Sequence, residues 1–170
     1  MTPMRTVGEP AIPGKITVRA GNRKVVLAKH AGESARHVLL KALVFGLYVA
    51  DYPELVVEPR FSGRYRPDLL QLNAAGEPVF WAECGATGHE KLAFLARAYP
   101  STHIVVAKQV ARIDPLAEAV SGIVDPLRRM APLDLVNVPA DAERFIGQTG
   151  KITVAFGDVA LRRFEPGTPD

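Results

Sequence analysis

Two carboxylates flank segments whose hydrophobic pattern predicts β-strands, and they are the first candidates for chemistry in this chain. Asp68 directly precedes the apolar run 69–72, and Glu83 directly follows the apolar run 79–82. The segment between the runs, Asn73-Ala74-Ala75-Gly76, has the composition of a hairpin turn. Two apolar runs separated by such a turn predict an antiparallel pair of strands. Both carboxylates therefore belong to one predicted β-hairpin.

The pairing of this hairpin decides whether the two carboxylates can act together. If Leu72 pairs with Glu77, Asp68 lies opposite Trp81 and becomes a diagonal neighbour of Glu83. Diagonal neighbours on one face have Cβ atoms about 7–8 Å apart. At that separation both side chains can reach one divalent cation, which takes oxygen ligands and keeps several waters. A surface hairpin with a polar outer face is the alternative, although Trp81 shares the parity of Glu83 and favours partial burial.

The same stretch resembles a nuclease motif. Pro67-Asp68, the hairpin and Glu83-Cys84-Gly85 resemble the PD-(D/E)XK motif, and most of the chain beyond about residue 13 is similar to the YaeQ family, a branch of that superfamily. The resemblance implies a restriction-endonuclease-like α/β fold, in which helices cover both faces of a mixed central sheet in three α/β/α layers. Four further segments carry it: HAGESARHVLLKALVFGLYVA at 30–50, THIVVAK at 102–108, DLVNVPADAERF at 134–145 and KITVAFGD at 151–158.

The resemblance also implies a chemistry for the acidic residues. In the superfamily the motif carboxylates hold one or two Mg²⁺ ions, which lower the pKa of a water and stabilise charge on the phosphate. Asp68 and Glu83 would be these ligands, and Glu33 matches an auxiliary acidic residue on the first core helix. Glu33 has helix capping as its alternative role, since we expect it in the first helical turn. His37 would share its face and could orient Glu33 or touch a phosphate, although a solvated histidine is the more ordinary interpretation.

The chain departs from the motif at its lysine. Gly85 stands in that position and has no side chain, and Ala86-Thr87 does not provide the glutamine that YaeQ proteins place just beyond the motif. Lys91, in the first turn of the next predicted helix, has a stem long enough to bring its ammonium back over the carboxylates. A surface lysine is its alternative role. To act directly or through one water, the Lys91 ammonium would have to lie within about 3–6 Å of the Asp68 or Glu83 oxygens.

Three arginines lead into the predicted metal site. Arg60, Arg64 and Arg66 are either a solvated loop or a clamp on the phosphates of DNA or RNA. The formal net charge of +3 permits a polyanionic partner without requiring one. Three functions therefore remain open: a Mg²⁺-dependent nuclease-like enzyme, an inactive relative that binds nucleic acid, and a protein-interaction module. In the enzyme, Asp68, Glu83, Lys91 and Glu33 would be catalytic, with Asp68, Glu83 and Glu33 on the metal.

Length and composition predict one domain. The 170 residues, 48% of them apolar, suffice for one core, which we place at residues 14–165 between a loose arm, residues 1–13, and a tail, residues 166–170. We expect a cytoplasmic protein, because a single cysteine suits a reducing compartment and the N-terminus has no apolar segment typical of a signal peptide. No apolar run is long enough to span a membrane, so we expect no membrane insertion. The pattern further predicts a first hairpin about Gly21-Asn22, a buried helix over 33–50, a β-α-β unit ending at 103–107 and a terminal hairpin about Gly157-Asp158.

Overall fold

The structure is a computed structural model that describes residues 14–168. Its main elements are a six-stranded mixed sheet and three α-helices. The predicted arm at residues 1–13 and the last two residues of the predicted tail lie outside this range. In chain order the elements are β1 Lys15–Ala20, β2 Arg23–Ala28, α1 Ala35–Tyr48, β3 Val56–Val57, β4 Leu69–Leu72, β5 Pro78–Cys84, α2 His89–Ala98, β6 His103–Lys108, α3 Asp114–Ser121, β7 Leu133–Asn137 and β8 Ala160–Phe164.

The central sheet has the order β3-β4-β5-β6-β7-β8, and β1-β2 form a separate hairpin. Strands β5, β6 and β7 run parallel, whereas the pairs at either side of them are antiparallel. This arrangement confirms the predicted mixed α/β class, the first hairpin and the β-α-β unit. Alternation along β5 divides the core, because Phe80 and Ala82 pack on the side of α1 while Trp81 packs on the side of α2 and α3.

Helix α1 is buried almost all round, as its apolar sequence predicts. Leu43, Val44 and Phe45 have no exposed surface. The helix begins at Ala35 because the hydroxyl of Ser34 caps it by accepting a hydrogen bond from the His37 backbone N–H at 3.1 Å. Glu33 therefore precedes the helix, and the expectation that it lies in the first turn is wrong.

The hairpin of β4 and β5 is present, but its predicted register is wrong. The Asn73 side-chain oxygen accepts hydrogen bonds from the backbone N–H groups of Ala75 and Glu77, and the backbone of Asn73 and Glu77 closes the turn. Because Asn73 and Glu77 close the turn, three residues lie between them. The last of the three, Gly76, has a left-handed conformation with φ +80°. Leu72 consequently pairs with Pro78, and the register shifts by one residue between Leu72 and Gln71. Leu69 then pairs with Ala82. Continuing this register by one residue places Asp68 opposite Glu83 rather than opposite Trp81.

The predicted terminal hairpin is also wrong. Strand β8 pairs with β7, not with the segment 151–156. That segment instead makes isolated bridges, from Lys151 to Arg19 and from Ile152 to Ile146. Ile152 is buried against Gly46 of α1, where a Cβ on the glycine would lie 2.4 Å from the Ile152 Cγ2. A buried contact with α1 has therefore overridden the local turn signal. Within residues 14–168, no helix is long and apolar enough to span a membrane.

Candidate functional site

The four predicted catalytic residues line one cleft at the carboxyl end of β5. This carboxylate cleft has a volume of about 490 Å³ and opens between the start of α1 and the start of α2. Its walls include Glu33, Asp68, Glu83 and Lys91, together with His37, Arg66 and the turn that follows Cys84. The carboxyl ends of strands in an open α/β sheet are the common place for ligand binding.

Asp68 is fixed at the end of the hairpin by two hydrogen-bond partners. Its Oδ2 accepts the backbone N–H of Cys84 at 2.8 Å, and its Oδ1 lies 3.2 Å from Nε2 of His37. Burial alone would raise the pKa of Asp68, but the hydrogen bonds from His37 and Cys84 outweigh burial and hold that pKa below its usual value. Asp68 is therefore an ionised carboxylate on one wall of the cleft.

Glu83 is more deeply buried, with 4% of its surface exposed. Its Oε1 accepts the indole N–H of Trp81 at 2.8 Å, and its Oε2 accepts a hydrogen bond from the Lys91 ammonium at 2.7 Å. Burial raises the pKa of Glu83, the two hydrogen bonds offset it only in part, and repulsion from Asp68 adds to the rise. The two carboxylates thus have pKa values shifted in opposite directions, as in many acid–base sites.

Lys91 contacts the carboxylate pair directly. Helix α2 starts at His89, one short turn after β5, so the Lys91 side chain points back over the strand end. Its Nζ lies 2.7 Å from Glu83, closer than a water-mediated approach, and 5.3 Å from the ring centre of Tyr65. Its side chain is 23% exposed. Lys91 is therefore a partly buried cation of the cleft and not a free surface lysine.

Gly85, at the position where the resemblance leads us to expect a lysine, has a backbone conformation that disfavours any side chain. Its φ is +88°, in the left-handed region that side chains disfavour, although a Cβ there would meet nothing closer than His37 Cδ2 at 3.9 Å. The backbone, rather than a lack of space, disfavours lysine at this position. Lys91 reaches the same cleft from α2 without this strain.

His37 has a larger part in the cleft than the sequence indicates. Its Nδ1 lies 2.8 Å from Glu33 Oε1, and its Nε2 lies 3.2 Å from Asp68 Oδ1. Only the doubly protonated imidazolium can donate to both carboxylates. The hydrogen bond with Asp68 raises the pKa of His37, against the opposing effect of burial. The i,i+4 spacing from Glu33 was the one sequence signal for this bridge.

Glu33 faces a second group of charges on the other side of His37. It contacts the Lys41 ammonium and accepts the His30 backbone N–H at 3.0 Å, and Lys41 also donates to Glu58 at 2.6 Å. Burial would raise the pKa of Glu33, but Lys41, the His30 backbone N–H and His37 together outweigh burial and lower that pKa. Lys41 was missed by sequence reasoning, although a lysine within an apolar helix is a signal of a buried ion pair.

The carboxylates do not all converge on one point. Within the described residues, one group of three histidine or acidic side chains has ligand atoms within 4.8 Å of one another, and it is His30, Glu33 and Glu58. Asp68 and Glu83 are not part of it. Because the Lys41 ammonium bridges Glu33 and Glu58, this group is an ion-pair cluster. The metal role predicted for Glu33 remains a prediction, and it would require Glu33 to leave Lys41.

Asp68 and Glu83 fit a hard divalent cation. A carboxylate can accept about four hydrogen bonds, and each of these two accepts or faces only two partners. Both line a cleft with room for the waters that Mg²⁺ retains. His37 and Lys91 now balance their charge, so a cation would compete with these two side chains.

The three arginines are not gathered in the cleft. Arg66 lines it. Arg64 is exposed, pairs with Glu90 at 3.1 Å and stacks over Phe94, and Arg60 is exposed on the preceding loop. Their role in binding nucleic acid remains a prediction, with Arg66 the best placed of the three.

Comparison with known proteins yields a structural likeness. No known family model and no curated protein matches the sequence. The YaeQ protein from Xanthomonas axonopodis pv. citri superposes with a TM-score of 0.57 at 16% identity, over 86% of this chain and 92% of that chain. The YaeQ protein from Pseudomonas syringae superposes with a TM-score of 0.58 at 14% identity, over 84% of this chain and 82% of that chain. At this identity the likeness is one of architecture: the chain has the fold of YaeQ proteins.

Proposed function

We propose that this protein is a YaeQ-family enzyme of the PD-(D/E)XK superfamily, and that the carboxylate cleft cleaves phosphodiester bonds of DNA or RNA with Mg²⁺. One observation carries the proposal. The Lys91 ammonium lies 2.7 Å from Glu83, in the cleft that also holds Asp68. The cleft thus combines two carboxylates with a lysine, which is the chemical content of the motif, with the lysine moved from a strand to the next helix.

The residues of the cleft have distinct roles in this proposal. Asp68 and Glu83 hold the cation, which when bound lowers the pKa of a water and stabilises charge on the phosphate. Trp81 fixes the Glu83 side chain through its indole N–H. Lys91 orients the attacking water, because its ammonium donates hydrogen bonds and stays close to Glu83. The His37 imidazolium, whose two N–H groups face Glu33 and Asp68, adds positive charge near the bound phosphate without donating to it.

The nucleic-acid strand would approach along the loop that precedes β4. Arg66 at the cleft would contact the phosphate next to the cleaved bond, and the exposed Arg64 and Arg60 would contact phosphates further along. These contacts are independent of sequence. Affinity should therefore fall steeply as salt concentration rises.

An inactive relative that binds nucleic acid is the second candidate, and one observation favours it. His37 and Lys91 already balance the charges of Asp68 and Glu83, so the cleft is electrostatically satisfied without a cation. A degenerate site that has replaced its metal with protein cations would have this arrangement. The protein would then retain the cleft and its arginines for binding alone.

A cleavage assay separates the candidates. Labelled single-stranded and double-stranded DNA and RNA would be incubated with the protein in Mg²⁺, in Mn²⁺ and in a chelator. We expect metal-dependent cleavage that Lys91→Ala lowers by about 10²–10⁴-fold, as loss of a general acid–base group does. Lys24→Ala, which changes an exposed lysine on β2, is the matched control and should have no effect.

The other outcomes assign the function differently. Salt-sensitive binding of nucleic acid without cleavage would favour the inactive relative. Absence of both binding and cleavage, in a folded preparation, would contradict both candidates and leave the protein-interaction module.

A further inference from the structure

A small hollow lies at the far end of α2 from the carboxylate cleft. It has a volume of about 140 Å³, and we name it the arginine pocket after Arg97, Arg128 and Arg129, which line it together with Asp125. Helix α2 has ten residues and is therefore about 15 Å long, so the pocket is a separate location from the Lys91 end of the helix.

Arg129 is the unusual residue of the pocket, because its guanidinium is buried with 4% of the residue exposed. Its Nη1 donates to the carbonyl oxygens of Ala96 at 3.0 Å and Tyr99 at 2.7 Å, and its Nη2 donates to that of Thr102. These bonds cap the end of α2. The Nε–H is buried and has no hydrogen-bond partner within the described residues.

No carboxylate of residues 14–168 forms an ion pair with Arg129, so the carbonyl oxygens at the end of α2 are the groups that balance its charge. Burial lowers the pKa of Arg129. Buried charges in proteins are usually paired, because removing a charge from water is costly. The buried Arg129 guanidinium therefore adds positive charge to this end of α2.

The other pocket residues add positive charge. Arg97 lies in the last turn of α2, and Arg128 lies 3.4 Å from Asp125. Asp125 caps its own short 3₁₀ turn by accepting the Leu127 N–H at 3.0 Å. Three guanidinium groups and one carboxylate give the pocket a net charge of about +2, since arginine stays protonated in proteins.

We propose that the arginine pocket binds a phosphate group. A tetrahedral oxyanion would accept hydrogen bonds from Arg97 and Arg128, whose planar donors match phosphate oxygens, and would lie beside the buried guanidinium of Arg129. The group is either a free phosphate ion or a phosphate of a larger molecule such as a nucleic acid. The proposal does not depend on activity of the carboxylate cleft.

The test follows the Arg129 Nε–H by NMR during titration with inorganic phosphate, against chloride at equal ionic strength. A buried N–H exchanges slowly and should give an observable signal. We expect a saturable shift of this signal, and a resonance that stays unmoved up to the solubility limit of phosphate would overturn the proposal.

Variants of the exposed arginines confirm the location without disturbing the cap of α2. Arg97→Gln and Arg128→Gln should each weaken phosphate binding about tenfold, as expected for loss of one charge-assisted hydrogen bond. Arg144→Gln is the matched control, because Arg144 forms the same i,i+3 pair, with Asp141 at 3.1 Å, away from the pocket. Equal weakening by all three variants would overturn the proposal, because it would indicate general charge attraction.

Competition identifies the source of the phosphate group. An oligonucleotide with a 5′-phosphate and the same oligonucleotide without it would each be titrated against bound inorganic phosphate. Displacement by both assigns the pocket to backbone phosphates, displacement by the first alone assigns it to a terminal phosphate, and displacement by neither assigns it to a small free anion. Each result supports an anion pocket.

Discussion

Asp68 and Asp134 are both carboxylates beside a histidine and the central sheet, but their surroundings differ. Asp134 has no exposed surface, and its two oxygens accept hydrogen bonds from the Tyr48 hydroxyl at 2.7 Å, from Arg163 at 2.7 and 2.8 Å, and from His103 Nε2 at 2.8 Å. Asp68 has two partners and lines an open cleft. We call the first group, Tyr48, His103, Asp134 and Arg163, the Asp134 network.

The difference separates stability from chemistry. The four donors of the Asp134 network use the full acceptor capacity of one carboxylate, so no ligand can bind it. Burial would raise the pKa of Asp134, but Arg163, His103 and Tyr48 outweigh burial and hold that pKa far below its usual value. Asp68 and Glu83 line the cleft and can each accept further hydrogen bonds. The pKa of Glu83 is raised rather than lowered. A fully satisfied network stabilises the fold, whereas a partly satisfied one remains available for binding.

The largest effect should come from breaking the Asp134 network. Asp134→Ala leaves the buried Tyr48 hydroxyl and His103 without their acceptor, and we expect the free energy of unfolding to fall by about 3–5 kcal/mol. Asp68→Ala should cost only about 1 kcal/mol, since it mainly removes the acceptor of the Cys84 N–H. Urea denaturation followed by circular dichroism measures both values. Equal losses would contradict the division between the two regions.

A smaller effect is expected from Gly85. Gly85→Ala should destabilise the protein by about 1–3 kcal/mol, because φ is +88° at this position. Gly157→Ala is the control, because Gly157 is exposed, its φ lies outside the left-handed region and a Cβ there would meet open space, and it should be neutral or slightly stabilising. If Gly85→Ala is as well tolerated as Gly157→Ala, backbone strain does not explain the absence of a lysine at position 85.

The smallest effect is a difference in pH dependence. The pKa of Glu83 is raised on folding, so ionisation of Glu83 lowers stability as pH rises above the unfolded value of about 4.3. The stability of Glu83→Gln relative to wild type should therefore increase with pH.

Asp134 should show the opposite dependence, because its pKa is lowered on folding. The stability that its ionised form contributes is complete above the unfolded pKa of about 3.9 and is lost as pH falls below that value. Asp134→Asn relative to wild type should accordingly lose stability as pH rises toward 3.9. Unfolding curves from pH 3 to 8 would contradict this account if both variants changed in the same direction.

Much of the architecture could be predicted because it depends on local patterns. Alternation, helical periodicity and the Gly21-Asn22 turn identified the strands, α1 and the first hairpin. The turn at Asn73 was assigned one residue too long, because its length depends on the Asn73 side chain and not on composition. The segment 151–156 was misassigned because Ile152 packs on Gly46, a contact between distant parts of the chain.

The positions of the carboxylates and of Lys91 in the candidate site were predicted, whereas the contacts of His37 and Lys41 were not. Asp68, Glu83 and Lys91 share one cleft, as the sequence indicates, despite the error in register. The bridge by His37 depends on how α1 packs beside Asp68. The ion pair of Lys41 with Glu58 depends on how α1 packs beside the loop that contains Glu58, a residue with φ 53°. The arginine pocket joins Arg97 to residues about thirty positions later, and no local pattern predicts that proximity.

The most direct test of the central claim is a titration of the wild-type protein with Mn²⁺ by calorimetry, beside Asp68→Asn and the control Glu90→Gln. Glu90 adjoins Lys91 in sequence but is exposed and pairs with Arg64. We predict one ion per chain in the wild type and in Glu90→Gln, and affinity at least about tenfold weaker in Asp68→Asn. The same isotherm in wild type and Asp68→Asn, or no heat of binding in either, would contradict a divalent-cation site in the carboxylate cleft.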